Sequence, residues 1–290
     1  MNNGAKKNYL ILGASSNIAK EVIFFLGQKM NNFYGLSTNP ESTNNGIFNK
    51  LVSYKDYHQF SEIEFSNVFV IASRNHSQGG SLNDYLEVNK LVISILNKIK
   101  YSQTKSPKFT FLSSFSVYDK NATYIDENTA LMPADYYGES KILLEESLKG
   151  ISEEFDGDLL ICRLPVFLYQ GVNKVNGNFL AKLSLAINSK SAFSLTNPDA
   201  FLGAVFNVDS LVKLDSKKID KLKIVNCSSR PDITFHQIGE LAIKHGLKEV
   251  NWKQSNRPSA QICLKRVSKI LGYQPSARKI IEQWLPGELS

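Results

Sequence analysis

Cysteine is scarce in this chain, and long apolar runs are missing. The three cysteines, Cys162, Cys227 and Cys263, are an odd number, lie far apart and form no CxxC pair. That excludes a disulfide-framed scaffold and a thiolate metal site, and it suits reduced thiols in a cytoplasm. Histidine offers no better ligand set: His58, His236 and His245 show no acidic or cysteine partners at metal spacing, so no metal is expected. The longest apolar runs, such as Val22–Leu26, fall far short of the ~20 residues that a membrane span needs. The N-terminal MNNGAKKNYLIL turns apolar only for a strand's length before Gly13, unlike a signal peptide. A basic stripe is missing too. The net charge is +7, but 34 Lys and Arg are scattered among 27 acids and gather only in pairs such as Lys6-Lys7 and Lys217-Lys218. The expectation is a soluble, cytoplasmic protein with no membrane and no nucleic-acid partner, mildly attractive to anionic ligands.

What is present is an ordinary globular composition, 42% apolar and 21% charged over 290 residues, enough for one large domain or two smaller ones. Tyr9–Leu12 is a short apolar run ending at Gly13, and Ile18 to Lys29 follows at helical spacing. Phe33–Leu36 is a second short strand. Val68–Ala72 reads as a strand buried on both faces, with a helix from about Tyr85 to Ile99. Strand Phe109–Ser113, helix Tyr137–Lys149 and strand Leu159–Leu164 complete an alternation that predicts an α/β fold with a doubly wound parallel sheet. After Pro165 the rhythm breaks. A helix near Phe179–Asn188, a strand at Lys223–Asn226, a helix at Phe235–His245 and two further helical stretches remain. The expected organisation is a nucleotide-binding domain, 1–165 plus about 205–230, with a smaller interleaved cap, 166–204 plus about 231–290.

Two constellations carry chemistry. In Gly13-Ala14-Ser15-Ser16-Asn17-Ile18-Ala19 a glycine lets the chain turn sharply, and the helix that follows offers free N–H groups and a positive dipole end to a phosphate. A dinucleotide fingerprint has two further glycines, and Ser16 and Ala19 stand in their places, both small. In Tyr137-Gly138-Glu139-Ser140-Lys141, tyrosine and lysine four apart share one helix face, where an ammonium would favour the phenolate. Upstream, Ser113-Ser114-Phe115-Ser116-Val117-Tyr118 places hydroxyls at the end of a strand, where a parallel sheet meets its ligand.

Taken together, these segments resemble the extended short-chain dehydrogenase/reductase family, the NAD-dependent epimerase/dehydratase-like branch that acts on sugar nucleotides. Gly13–Ala19 resembles its GxxGxxG, Ser113–Tyr118 its SSxxVY and Tyr137–Lys141 its YGxSK. Ile161–Val166, Phe206–Val212 and the stretch from Arg257-Pro258 to Pro275 are similar to its later motifs. The resemblance implies a Rossmann-type fold, with Ser114, Tyr137 and Lys141 as the catalytic set. Gly13, Ser15, Ser16, Asn17, Ile18, Ser37, Thr38, Ala72, Ser73, Asn89 and Pro165 would meet the cofactor, together with Tyr137 and Lys141. His76, Ser114, Phe115, Asn178 and Arg257 would meet a sugar-nucleotide substrate. Tyr136 and Tyr118 read as packing residues. The resemblance also implies a homodimer and a place in polysaccharide biosynthesis.

Departures narrow the choice. Dehydratases of the family carry an Asp-Glu pair where this chain has Phe115 and Ser116, which argues against dehydration. Ser37 stands where an acid would bind the ribose diol of NAD, so the sequence favours NADP(H) over NAD(H). The first of two family arginines for the nucleotide diphosphate falls at Gly203. The leading expectation is a reductase of a 4-keto-6-deoxyhexose nucleotide, with hydride transfer from NAD(P)H and Tyr137 as general acid. The alternative is an NAD-dependent sugar-nucleotide 4-epimerase, and a second alternative is a non-catalytic nucleotide-binding regulatory protein on the same fold.

Overall fold

A computed structural model describes residues 6–41, 43, 46–74, 79–168, 179–219, 221–254 and 260–287. The chain opens with β1 (Lys7–Leu12), α1 (Asn17–Leu26), β2 (Asn31–Ser37), β3 (Lys50–Ser53) and β4 (Asn67–Val70). It continues with α2 (Leu82–Ser102), β5 (Lys108–Ser114), β6 (Tyr124–Ile125), α3 (Tyr136–Phe155), β7 (Leu159–Leu164), β8 (Val166–Leu168) and α4 (Phe179–Asn188). Then come β9 (Ala192–Thr196), β10 (Val205–Asn207), α5 (Val208–Asp215), β11 (Leu222–Asn226), α6 (Phe235–Lys244), β12 (Glu249–Lys253), β13 (Gln261–Ile262), α7 (Lys265–Leu271) and α8 (Ala277–Gly287).

These elements make two compact units: residues 1–120, 130–163 and 215–225 in the first, and 121–129, 164–214 and 226–290 in the second. The first is built on a seven-stranded sheet in the order β11-β7-β5-β4-β1-β2-β3. β1 runs parallel to both β2 and β4, β2 to β3, and β4 to β5. The α/β, doubly wound, Rossmann-type sheet is therefore present. Chain order reverses between β1 and β4, and in such sheets the crevice at the carboxyl ends of those two strands is where ligands bind.

Local sequence explains why these strands lie inside. All four residues of β4 and all six of β7 are buried, as expected for strands covered by helices on both faces. The core joins Leu10 and Leu12, Val68 and Val70, Phe109 and Phe111 to Leu144, Leu148 and Ile151 of α3. Beyond β3, the turn Tyr54–Phe60 buries Tyr54, Tyr57 and Phe60. There Tyr34, Phe60 and Phe65 stack edge to face at 5.6–6.2 Å. Phe60 and Phe65, which are buried, each contribute roughly 1.5–3 kcal/mol by leaving water.

The second unit has its own core, drawn from α4, α6 and α8, with Leu180, Leu183, Ile238, Ile281 and Trp284 fully or nearly buried. Three short parallel pairs, β8 with β10, β9 with β12, and β6 with β13, complete it. Among the described residues, no helix is long and apolar enough to cross a membrane.

Candidate functional site

The first part of the site is the turn between β1 and α1. Gly13 sits at φ +90°, and a Cβ on it would come within 2.7 Å of the Ala72 nitrogen. Only a glycine lets the ends of β1 and β4 approach this closely. Its N–H and that of Ala14 both donate to the Leu36 carbonyl, at 3.1 and 3.0 Å, which fixes the turn against β2. Ser16 is the N-cap of α1, its hydroxyl accepting the Ala19 N–H at 3.1 Å. Its side chain therefore caps the helix. Ser15 and Asn17 are exposed, Ile18 is half-buried and Ala19 is fully buried.

At the end of β2, Ser37 is buried and its hydroxyl accepts the Asn39 N–H at 3.1 Å, while Thr38 is exposed. Ala72 and Ser73 follow β4, the first buried and the second half-buried. Pro165 is the half-buried residue joining β7 to β8. Asn89 on α2 is buried and donates its amide to the Ser140 carbonyl at 2.8 Å, tying α2 to the first turns of α3.

The second part is the start of α3 against the end of β5. Asp135 caps α3, accepting the Gly138 N–H at 2.8 Å. Gly138 lets that first turn lie on the Ser116 carbonyl, where a Cβ would overlap the oxygen. The contact brings the Ser114 and Tyr137 hydroxyls into hydrogen bonding. Ser114 also accepts the Ser116 N–H at 3.1 Å, and the Phe115 ring packs edge to face on Tyr118 at 5.7 Å. Tyr85 of α2 stacks edge to face on Tyr137 at 6.1 Å, and the Arg74 guanidinium lies 5.9 Å from the Tyr85 ring centre. Tyr136, expected to pack, is instead 53% exposed, because it points away from this contact at the first position of α3.

Lys141 completes the group. It is buried, donates to the Leu112 carbonyl at 2.8 Å and lies 5.6 Å from the Tyr137 ring centre and 4.9 Å from that of Phe111. Burial lowers its pKa to about 7, and the Glu145 carboxylate opposes that shift. Burial pushes the Tyr137 phenol above its ordinary value; the Ser114 hydrogen bond lowers it only in part, and Asp135 and Tyr85 raise it further. The shift is thus upward, opposite to the lowering expected from a neighbouring ammonium, with burial as its largest cause.

Lys141 also sets a pH dependence of stability. Its pKa is depressed in the folded chain and ordinary in the unfolded one, so the unfolded state binds more protons between about pH 7 and the usual lysine range, and stability rises across that window. Lys141→Met is expected to be more stable to urea than the parent at pH 6. The gap should narrow as pH rises from about 7 toward 10, and turnover should be absent. Urea melts at three pH values check this.

Sequence reasoning missed what lies beneath. Arg163, the next-to-last residue of β7, is 2% exposed, and Glu145 of α3 is fully buried. The Arg163 Nη2 and Nε atoms donate to the two Glu145 oxygens at 2.7 and 3.1 Å, and Nη1 donates to the Tyr118 hydroxyl at 2.8 Å. The Ser113 hydroxyl donates to Glu145 at 2.5 Å. The signal was available, since Glu145 falls four residues after Lys141 and shares its helix face.

His76, Asn178 and Arg257 lie outside the described residues. Among those described, no group of three or more metal-ligating side chains occurs; His236 has Glu240 one turn on at 3.9 Å, an exposed pair. Gly203 lines a cavity of about 950 Å³ within the second unit, along with Tyr124, Phe201, Arg230 and Lys265. Ser229 also lines it, and its buried hydroxyl has no hydrogen-bond partner among the described residues.

No curated protein matches the chain. Among solved structures it is similar to the UDP-glucose 4-epimerase of Thermotoga maritima with UDP-glucose, with a TM-score of 0.77, 17% identity, and 97% of this chain and 98% of that one covered. It is similar also to the UDP-N-acetylglucosamine 4-epimerase of Methanobrevibacter ruminantium M1 in complex with UDP-N-acetylmuramic acid (0.76, 17%, 98% and 97%). A third is the UDP-glucuronic acid 4-epimerase of Bacillus cereus in complex with NAD (0.74, 14%, 97% and 96%). At these identities the likeness is one of fold. The expected preference for NADP(H) is corrected by the NAD held in the Bacillus cereus enzyme. The physical reason lies in the sequence 37–46, which has no Lys or Arg to meet a 2′-phosphate and carries one carboxylate, Glu41. The model of the NAD dependent epimerase/dehydratase family matches residues 9–198, about two thirds of the chain. With the β1–α1 turn and the Ser114, Tyr137 and Lys141 group already in hand, that match settles the lineage: the chain belongs to the NAD dependent epimerase/dehydratase family.

Proposed function

We propose that this protein is an NAD-dependent sugar-nucleotide 4-epimerase acting on a UDP-sugar. The observation that carries the reading is the convergence of Ser114, Tyr137 and Lys141 at the start of α3, in the same unit as the glycine turn. Three similar structures are named 4-epimerases of UDP-sugars, which favours this over the reductase expected from the sequence. The first unit is proposed to hold the dinucleotide and the second to hold the sugar nucleotide.

The residues present fit a dinucleotide. Gly13 brings backbone against backbone between β1 and Ala72, and Ser15, just before the N-cap, and Asn17, at the start of α1, are exposed beside the helix N-terminus. Bound there, NAD would supply a reversible hydride acceptor. The chain does the rest. Tyr137 takes the proton from the sugar 4-hydroxyl and gives it back after the sugar has turned its other face. Ser114 hydrogen-bonds the same oxygen and holds Tyr137 in place. Lys141 supplies a cation beneath the phenol once it is protonated. Ser113, Glu145 and Arg163 keep the strand and helix together under them.

The proton and the hydride both return to the sugar, so the reaction has no net oxidation. Purified protein given UDP-glucose, UDP-N-acetylglucosamine or UDP-glucuronic acid, without added reductant, is expected to form the C4 epimer with no net change in reduced-nicotinamide absorbance. Stoichiometric consumption of NADH with a 4-keto sugar nucleotide, and no epimer, would overturn the reading.

A further inference from the structure

Beneath the proposed catalytic group lies an ionic cluster that the reaction as described does not touch. An arginine within a fully buried strand is costly unless a partner is provided, because taking a charge out of water carries a penalty of several kcal/mol. Here the partner is complete. Glu145 receives both forks of Arg163, and its Oε1 also accepts the Ser113 hydroxyl. Arg163 gives its other amino group to Tyr118 and stacks its guanidinium 5.1 Å from that ring centre. A buried ion pair is weak evidence for stability, since apolar replacements of such pairs are often neutral or stabilising.

Its position suggests another role. Ser113 precedes Ser114 on β5, the Leu112 carbonyl that holds Lys141 comes one residue earlier, and Glu145 stands one helical turn beyond Lys141 on α3. Three elements, β5, β7 and α3, meet at the Glu145 carboxylate. We propose that Glu145, clamped by Arg163 and Ser113, is a positioning residue for Lys141: it locks the end of β5 to α3 and keeps the buried lysine in its charged form at the site. The proposal rests on the epimerase reading for its catalytic meaning, but its physical content does not.

The surroundings of Lys141 bear this out. α3 brings Tyr137 on one side and Glu145 on the other. β5 brings the Leu112 carbonyl and the Phe111 ring, with the Ser113 and Ser114 hydroxyls beside them. β7 brings Arg163 behind Glu145, with Tyr118 beyond it. α2 contributes Tyr85, stacked on Tyr137, and Asn89, bonded to the Ser140 carbonyl. Glu145 is the carboxylate whose field supports the ammonium, and burial works against it. Removing that negative charge therefore lowers the pH at which Lys141 loses its proton.

The test is the titration midpoint of Lys141 in the full chain, read from its 13Cε signal in 13C-lysine-labelled protein and assigned by its loss in Lys141→Arg. Glu145→Gln is expected to lower the midpoint, the direction that follows from losing an opposite charge near a buried ammonium. It should also move the alkaline limb of the kcat profile to lower pH by a similar amount. Since Glu145→Gln leaves Arg163 unpaired and can fail to fold, Glu145→Gln with Arg163→Gln is measured as well. That pair removes both charges and is expected to lower the midpoint in the same direction, by less. An unchanged Lys141 midpoint in a folded variant overturns the proposal. The midpoint needs no turnover, so a protein inactive on UDP-sugars would sink the epimerase reading while leaving this inference to stand or fall on its own titration.

Discussion

Tyr137→Phe is expected to lower kcat for UDP-sugar epimerisation by about 10²–10⁴-fold, the range lost when a positioned proton-transfer group is removed. The substitution takes away one oxygen and leaves the ring. That ring is held edge to face by Tyr85 at 6.1 Å and lies above Lys141, so the local packing has little reason to change. The KM for the sugar nucleotide and the urea midpoint should stay close to those of the parent, placing the loss in the chemical step. Steady-state assay of the C4 epimer, with UDP-sugar binding by calorimetry, separates the two. A loss under tenfold would mean that some other group moves the proton.

The second large effect is expected from a methyl group. Gly138→Ala should reduce turnover by at least about 100-fold, the loss that a displacement of about 1 Å can produce in a catalytic group. In an ordinary helix this change would add roughly 1 kcal/mol of stability. Here the new Cβ would overlap the Ser116 carbonyl oxygen and lie 2.9 Å from the Pro133 Cβ. Neither neighbour is free to retreat. The Ser116 N–H is on the Ser114 hydroxyl, Tyr118 donates to the Phe115 carbonyl, and Met132 donates to the Val117 carbonyl. The start of α3 must move instead, and Tyr137 with it. Overpacking of this kind costs about 1–3 kcal/mol, enough to reverse the helix-propensity gain. Full activity in Gly138→Ala would mean that the helix start and the 114–117 turn are not coupled.

How much of this was legible depended on whether a residue's role was written locally. The sheet strands β1, β4, β5 and β7 were read from apolar runs, because strands buried on both faces carry that signal by themselves. Tyr137 and Lys141 were read from helical spacing, and Ser114 from its place at a strand end. The strands β9 and β12 were missed. Each is only five residues long and mostly exposed. Phe193 and Leu195, Val250 and Trp252 alternate with polar neighbours and turn to the core side, but that short signal was passed over; the two strands pair with each other. β6 and β13, two residues each, are likewise defined only by their mutual pairing. Arg163 was quoted within its motif, but its meaning was not: a charge in a strand reads as an exposed face until its partner eighteen residues away is seen. Ser37 misled in the opposite way. A missing acid was read as room for a 2′-phosphate, whereas the side chain turns inward to the Asn39 N–H.

The order of the central sheet has a consequence for synthesis of the chain. β7 is complete at Leu164, yet its outer neighbour β11 begins only at Leu222, after much of the second unit has been made. At about 5–20 residues per second, a ribosome would leave the outer flank of β7 unpaired for several seconds. An edge of that kind is a template for pairing with another chain. Truncation after residue 214 would make the exposure permanent, and such a fragment is expected to collect in the insoluble fraction on expression.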